Sequence, residues 1–462
     1  MTFVIFLVGL INVILFRNNS KKFVFYLLIL FPYFGLIEFY LRDLSILYAI
    51  FFDLVFIIPI YFLFFFKKKK NSNFIELKKI TILIVFYILL HIIYIFTPNN
   101  PYPLIGRLIG FKIWTFYLFF IFIGYYFLET KEDFKKIINI LSLGVIIPCS
   151  ILIIQYLIAL LYGYEHAFFL IEAINKVPID ITQPGSGYSS FNLGAIKIFR
   201  LNSTFTSVTE LANYLIFSFV PVITALHLDN NRKYIFLNRM AFTLLIVASF
   251  ICGARSMFLF IPIILLFYTF LKYKIKKFFT YVLFFTFILI FFYFFNILYL
   301  KDFLTDYYLL FSGYSSMVTS GLFDFIINNF WGNGVGSATG EVRFLFNVDP
   351  TTDLASIAVY ERYYYKILYE TGFIGLIAYL FISFKFISYP LNLLKKDISE
   401  PYKSFVSISL TFLILVFYLF AFKGFSIDLF PISFMKFFLI GLLLKIYFLN
   451  TDDLNNTSNK FI

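Results

Sequence analysis

Charge is scarce in this chain. Asp, Glu, Lys and Arg make up 14% of its 462 residues, against roughly 25% in a soluble globular domain. Hydrophobic residues make up 61%, against roughly 45–50%, and one core cannot absorb that much apolar surface. Lipid must therefore act as a second solvent. Cysteine is nearly absent: Cys149 and Cys252 are the two present, and both fall in apolar runs, which excludes a disulfide framework and a thiolate metal site. The three histidines, His91, His166 and His227, fall on different segments and do not converge on one metal. No polar stretch is large enough for an ATPase domain. The run Gly332 to Ser337, GNGVGS, neither follows a strand nor precedes Lys-Ser/Thr, so it is not a nucleotide loop.

What is present is a long series of apolar segments. A bilayer span needs about 20 apolar residues, with ~17 as the working minimum. About thirteen stretches qualify: 1–16, 23–41, 44–66, 80–97, 108–128, 137–163, 204–228, 234–254, 256–271, 278–300, 366–389, 403–420 and 431–449. The first lacks a basic lead and a cleavage site and reads as a retained helix; if it is interfacial, twelve spans remain. The net charge of +13 would suggest nucleic acid were the lysines not clustered between spans. The basic loops 17–22, 67–79, 131–136, 231–234, 272–277 and 392–403 all fall on one side of this arrangement, as the positive-inside rule requires. That side is read as cytoplasmic, and nucleic acid is excluded as a partner.

The stretch from Tyr234 to Leu271 is too long for one span and reads as two helices meeting at Gly253-Ala254-Arg255-Ser256. Two segments on the opposite side, 164–202 and 301–361, are far longer than the other connections. Loops of such length are usually functional or disordered, and their aromatic content favours order. The expected fold is thus all-α, a single polytopic membrane domain over 1–462 with about 12–13 spans and two long external loops.

Ionisable residues within or beside spans are costly and suspect of function. Glu210 is placed a turn or two into the seventh helix, Arg200 just outside it and Arg255 at the hairpin tip; Asp53, in the third span, reads as structural. Asp349 and Asp353 in the last long loop resemble a metal pair only loosely, and a solvated loop face accounts for them better. The chemistry on offer is arginines and a carboxylate, with no metal and no cofactor. Guanidinium groups give bidentate donors to phosphate oxygens, and two of them in a low-dielectric site would stabilise a leaving diphosphate.

Three segments resemble the O-antigen polymerase and O-antigen ligase family. They are RLNSTFTSVTELANYL from Arg200, CGARSMFLFIPIILLF from Cys252, and WGNGVGS from Trp331 followed by ERYYYKILYETGFIGLIAYLF from Glu361. Their order and spacing cover roughly the C-terminal half; the first 160 residues match only as generic spans. The resemblance implies a glycosyltransferase C-like, metal-independent inverting enzyme of the bacterial cytoplasmic (inner) membrane. Its donor would be an undecaprenyl-diphosphate-linked oligosaccharide, its site would face the periplasm or exterior, and a chain-length regulator and a flippase would be its protein partners.

Arg200 and Arg255 match the family's phosphate-binding arginines. Glu361 stands where the ligases carry a His base, which favours a polymerase over a ligase. Arg343 and Arg362 are further candidates for the diphosphate or for charged sugars. Glu210 would orient an arginine or the acceptor, and Tyr360, Tyr363, Tyr364 and Tyr365 could stack on sugar faces. The rivals are a ligase and, from another class, a lipid-linked oligosaccharide flippase or an anion transporter, against which the long loops argue.

Overall fold

The computed structural model describes residues 2–17, 19–33, 35–37, 53–65, 74–168, 190–193, 196–205, 207–228, 231–272, 322–339, 342, 363–419 and 432–448. The chain opens with helices α1 (Thr2–Phe16) and α2 (Ser20–Leu30). A π-helical turn, Asp53–Ile57, leads into α3 (Ile58–Phe65). There follow α4 (Phe74–Ile95), α5 (Leu104–Thr115), α6 (Phe120–Phe127), α7 (Lys131–Leu143) and α8 (Ile146–Leu161). Strands β1 (Ser190–Leu193) and β2 (Ile196–Phe199) precede α9 (Val208–Ala225), α10 (Arg232–Ile251) and α11 (Arg255–Lys272). The last helices are α12 (Leu322–Asn328), α13 (Tyr363–Leu393), α14 (Glu400–Ile414) and α15 (Ile432–Phe448).

The helical membrane architecture expected from composition is present. Among the described residues seven helices are long and apolar enough to cross a bilayer: Leu77–Ile95, Leu104–Phe127, Lys131–Leu161, Val208–Ala225, Arg232–Ile251, Tyr363–Leu393 and Glu400–Tyr418. Segments 1–16, 44–66 and 256–271 give shorter apolar helices, whereas 278–300 lies outside the described residues. Helix α4 shows why lipid is needed. Leu77, Ile80, Ile84, Tyr87, His91 and Tyr94 line its buried face, while Ile82, Val85, Phe86, Leu89 and Ile93 are exposed on the other. Both faces follow the 3–4 spacing of a helix, yet the outward one is apolar, which only a hydrocarbon solvent tolerates as a contiguous surface.

The architecture is all-α, as expected, and the first long loop adds one short antiparallel hairpin in which Ser190 pairs with Phe199 and Leu193 with Ile196.

The chain forms two compact units, each drawn from three stretches. The first comprises Met1–Lys67, Thr130–Ser312 and Ile398–Thr411, and the second Lys68–Glu129, Gly313–Asp397 and Phe412–Ile462. In the first, α7 starts with a capping box in which Thr130 and Asp133 bond reciprocally. Asp133 also takes Lys21 Nζ from α2 at 2.7 Å, which joins the basic loops 17–22 and 131–136. Phe134 packs on Tyr402 at the start of α14. Near that start Lys272 Nζ meets Glu400 at 2.8 Å and His227 Nε2 at 2.6 Å. The ends of α9 and α11 and the starts of α2, α7 and α14 therefore gather at one end of this unit, as the charge pattern required. Residues 252–254 turn at the other end.

In the second unit α6 and α15 cross at two glycines. A Cβ on Gly441 would strike the Ile121 carbonyl, and one on Gly124 the Phe438 carbonyl. Small residues allow such close approach where water provides no hydrophobic drive. Gly441→Val should destabilise the protein by ~1–3 kcal/mol, the usual cost of overpacking, while Ile93→Val on the exposed face of α4 should be neutral. Thermal unfolding of purified protein in detergent reads both, and an unchanged midpoint for Gly441→Val would contradict this crossing.

Candidate functional site

The arginine-bearing segments belong to the first unit. Arg200 follows β2 directly and is half-buried. Its carbonyl accepts the Tyr164 hydroxyl at 2.8 Å, and the Tyr164 ring stacks on Phe199. Burial raises the Tyr164 pKa above its ordinary value, and the Arg200 charge opposes that rise. The following turn is fixed from three sides. Ser203, at φ 53°, receives Gln155 Oε1 on its N–H and donates its hydroxyl to Pro148 O. Thr204 donates to Pro32 O, and Asn202 Nδ2 to Phe205 O.

The long apolar stretch divides as expected, α10 ending at Ile251 and α11 starting at Arg255. Gly253 makes the junction possible with φ 74°. A Cβ there would meet Phe199 O and come within 2.7 Å of Arg200 Cα. The turn before Arg255 is thus seated on the backbone that carries Arg200. Cys252, beside this turn, is fully buried.

Glu210 sits elsewhere on its helix than expected. Helix α9 begins at Val208, so Glu210 is in the first turn, with its N–H bonded to the Ser207 cap at 3.2 Å. A carboxylate in a first turn is favoured by the helix dipole, which supplies a structural reason for it beside any catalytic one. Glu361, Arg343, Arg362, Asp349, Asp353 and Tyr360 lie outside the described residues. Tyr363 and Tyr365 are buried, and Tyr364 gives its hydroxyl to Phe417 O at 3.0 Å. That carbonyl lies in a π-helical turn, Leu415–Leu419.

The second unit holds a residue that sequence reasoning quoted but did not select. Glu370 on α13 is fully buried. Its Oε1 accepts the Ala338 N–H and the Thr339 hydroxyl, each at 2.9 Å, and its Oε2 accepts Trp114 Nε1 at 2.6 Å. Lys366, one turn earlier and also buried, places its ammonium 5.2 Å from the centre of the same Trp114 ring. The glycine loop is stitched along its length: Asn333 N–H to Tyr369 O at 2.7 Å, Gly334 N–H to Glu370 O at 2.9 Å and Val335 N–H to Tyr94 O at 3.2 Å.

Gly332, Gly334 and Gly336 all have positive φ, and a Cβ on Gly332 would come within 2.5 Å of Gly372 N. The amides of Gly332, Asn333, Gly334, Val335 and Ser337 are thus bonded within the protein, which leaves little of GNGVGS for an anion cradle. Arg107 has a comparable structural role, donating to the carbonyls of Ile95, Thr97, Asn100 and Tyr102 at 2.8–3.2 Å. The available signal for Glu370 was an acid beside Thr-Gly inside an otherwise apolar span.

Among the described residues no three His, Cys, Asp or Glu side chains gather as a metal site. Compared with known proteins, the chain matches no family model and no curated relative.

The Glu370 clasp can be tested through Ala338, which is buried. In an Ala338→Cys protein the thiol should resist a maleimide. Adding Glu370→Gln should make it reactive, because an amide cannot accept all three donors and each unsatisfied buried group costs ~1–3 kcal/mol. Equal reactivity in both backgrounds would contradict the clasp.

Proposed function

We propose that the chain polymerises lipid-linked oligosaccharide repeat units into a cell-surface polysaccharide. The observation that carries this reading is the seating of the Gly253 turn on Phe199 and Arg200, which brings together the backbones of two arginine-bearing segments far apart in sequence. Their place at the end of the unit opposite the Lys21–Asp133 and Lys272–Glu400 pairs supports an external site, because basic ends lie in the cytoplasm.

In this reaction a hydroxyl of the incoming repeat unit attacks the anomeric carbon of the growing chain's reducing-end sugar. The bond from that carbon to the diphosphate oxygen breaks, and the lipid diphosphate leaves with its electron pair. Arg200 and Arg255 neutralise the charge that develops on it, and a guanidinium does so without a proton to lose. Glu361 takes the hydroxyl proton, Glu210 orients an arginine or the acceptor, and Arg343 and Arg362 contact diphosphate or acidic sugars. The lipid tail enters sideways from the outer leaflet of the bacterial cytoplasmic membrane. A flippase supplies the lipid-linked unit, and a chain-length regulator acts on the product.

Arg200→Ala and Arg255→Ala should each abolish surface polymer while leaving protein in the membrane. Lys at either position should restore part of it, since a point charge replaces the charge but not the fork. Gel analysis of extracted polysaccharide with immunoblotting of membranes measures both. Polymer of wild-type length from Arg255→Ala would remove the assignment.

A further inference from the structure

The helices that follow the two arginines of the first unit meet again at their far ends. Arg200 leads through its turn into α9, and Arg255 opens α11. Just past the end of α9, His227 Nε2 lies 2.6 Å from Nζ of Lys272, the last residue of α11. The other ring nitrogen settles where the proton is. Nδ1 lies 2.9 Å from the Ile223 carbonyl, an oxygen that can only accept, so Nδ1 carries the ring proton. Nε2 then presents its lone pair, and the Lys272 ammonium donates to it. Ser404 Oγ, 3.2 Å from Nδ1 and 2.9 Å from the Tyr268 hydroxyl, completes the network from α14. Glu400 takes the same ammonium at 2.8 Å. Lys272, Tyr268 and Ser404 are buried, whereas Glu400 is exposed. Among the described residues the ionisable groups about this pair are Tyr268 from α11 and, from α14, Glu400 with Lys403 beyond it. Arg232 and Lys233, at the start of α10, are exposed.

We propose that His227 and Lys272 are positioning residues: their contact ties the far ends of the two arginine-bearing helices, and acid releases it. The role given to the arginines rests on the polymerase reading. An imidazolium has no lone pair for an ammonium, so protonating His227 sets two cations face to face where a hydrogen bond stood. Glu400, mostly in solvent, screens them but does not replace the bond. Imidazole is the side chain whose charge changes between about pH 5 and 8. The tie therefore holds in a neutral cytoplasm and loosens in an acid one. At the opposite end the Gly253 turn rests on Phe199 and Arg200 with no room for a Cβ. Two helices joined at both ends keep the arginine segments in one arrangement. With the His227–Lys272 tie gone, α9 and α11 shift and the Gly253 seat loosens. A preorganised pair of guanidinium groups is what stabilises a leaving diphosphate, so polymer output falls as the cytoplasm acidifies.

The test uses purified full-length protein in detergent, buffered from about pH 8 to about pH 5.5. His227→Gln keeps an acceptor for Lys272 that acid does not protonate, and Lys272→Met removes the second cation. The wild-type unfolding midpoint should drop over this range by at least ~2 °C more than that of either variant. A merely structural contact would lower both variants at every pH and leave the slope unchanged. Cys252 reports on the arginine segments in a Cys149→Ala background, where it is the one cysteine. Its rate of reaction with dithiodipyridine, relative to that in His227→Gln at the same pH, should be near one in neutral buffer and rise several-fold in acid. Lys272→Met, which lacks the tie at any pH, should react quickly throughout, and it carries the test should His227→Gln fail to fold. A wild-type slope equal to either variant's, or Cys252 protection that ignores both pH and Lys272→Met, would overturn the proposal. Neither readout involves transfer, so a protein that shows both but makes no polymer would sink the polymerase reading and leave the tie standing.

Discussion

A backbone amide or carbonyl left unpaired in apolar surroundings costs several kcal/mol, and the described turns and loops beside the helices are organised by that penalty. The turn after Arg200 uses Gln155, Pro148 and Pro32 as partners. The glycine loop uses Tyr94, Tyr369 and both ends of Glu370. The π-helical turn gives its Phe417 carbonyl to Tyr364. Glycine is what lets these segments approach closely enough. Gly253, Gly332 and Gly336 each adopt a positive φ, and each would bring a Cβ into another segment's backbone. These segments are therefore held by close backbone approach together with a few side-chain hydrogen bonds.

Glu370, Arg107 and Lys366 are engaged within the second unit. In the first unit the Arg200 segment offers its carbonyl to Tyr164, which fixes its backbone. In the proposed reaction a backbone fixed in this way limits the reorganisation needed to meet a diphosphate, which is the condition for electrostatic stabilisation of a leaving group.

Much of the fold was legible because two periodic signals agree. Apolar length located the spans, and lysine clusters marked the loop ends that share a side; the Lys21–Asp133 and Lys272–Glu400 pairs join such ends. The split at residues 252–254 was legible for the same reason. The β1–β2 hairpin was not, because its alternating polar and apolar runs, Ser190–Leu193 and Ile196–Phe199 around Gly194, are only four residues each. Nor were the units, because each is assembled from three separated stretches and no linker marks a boundary. Glu210 was misplaced by about a turn because apolar content sees where a span begins and not where its cap lies. Glu370 escaped selection because its partners, Trp114 and Thr339, are remote in sequence.

The central claim is that this chain by itself joins lipid-linked repeat units. Its most direct test is purified protein incubated with one synthetic undecaprenyl-diphosphate-linked oligosaccharide and no other acceptor. The account predicts a ladder of products spaced by one repeat unit, with release of undecaprenyl diphosphate at each step. Unextended donor alone, or transfer only when a different acceptor is added, would contradict it.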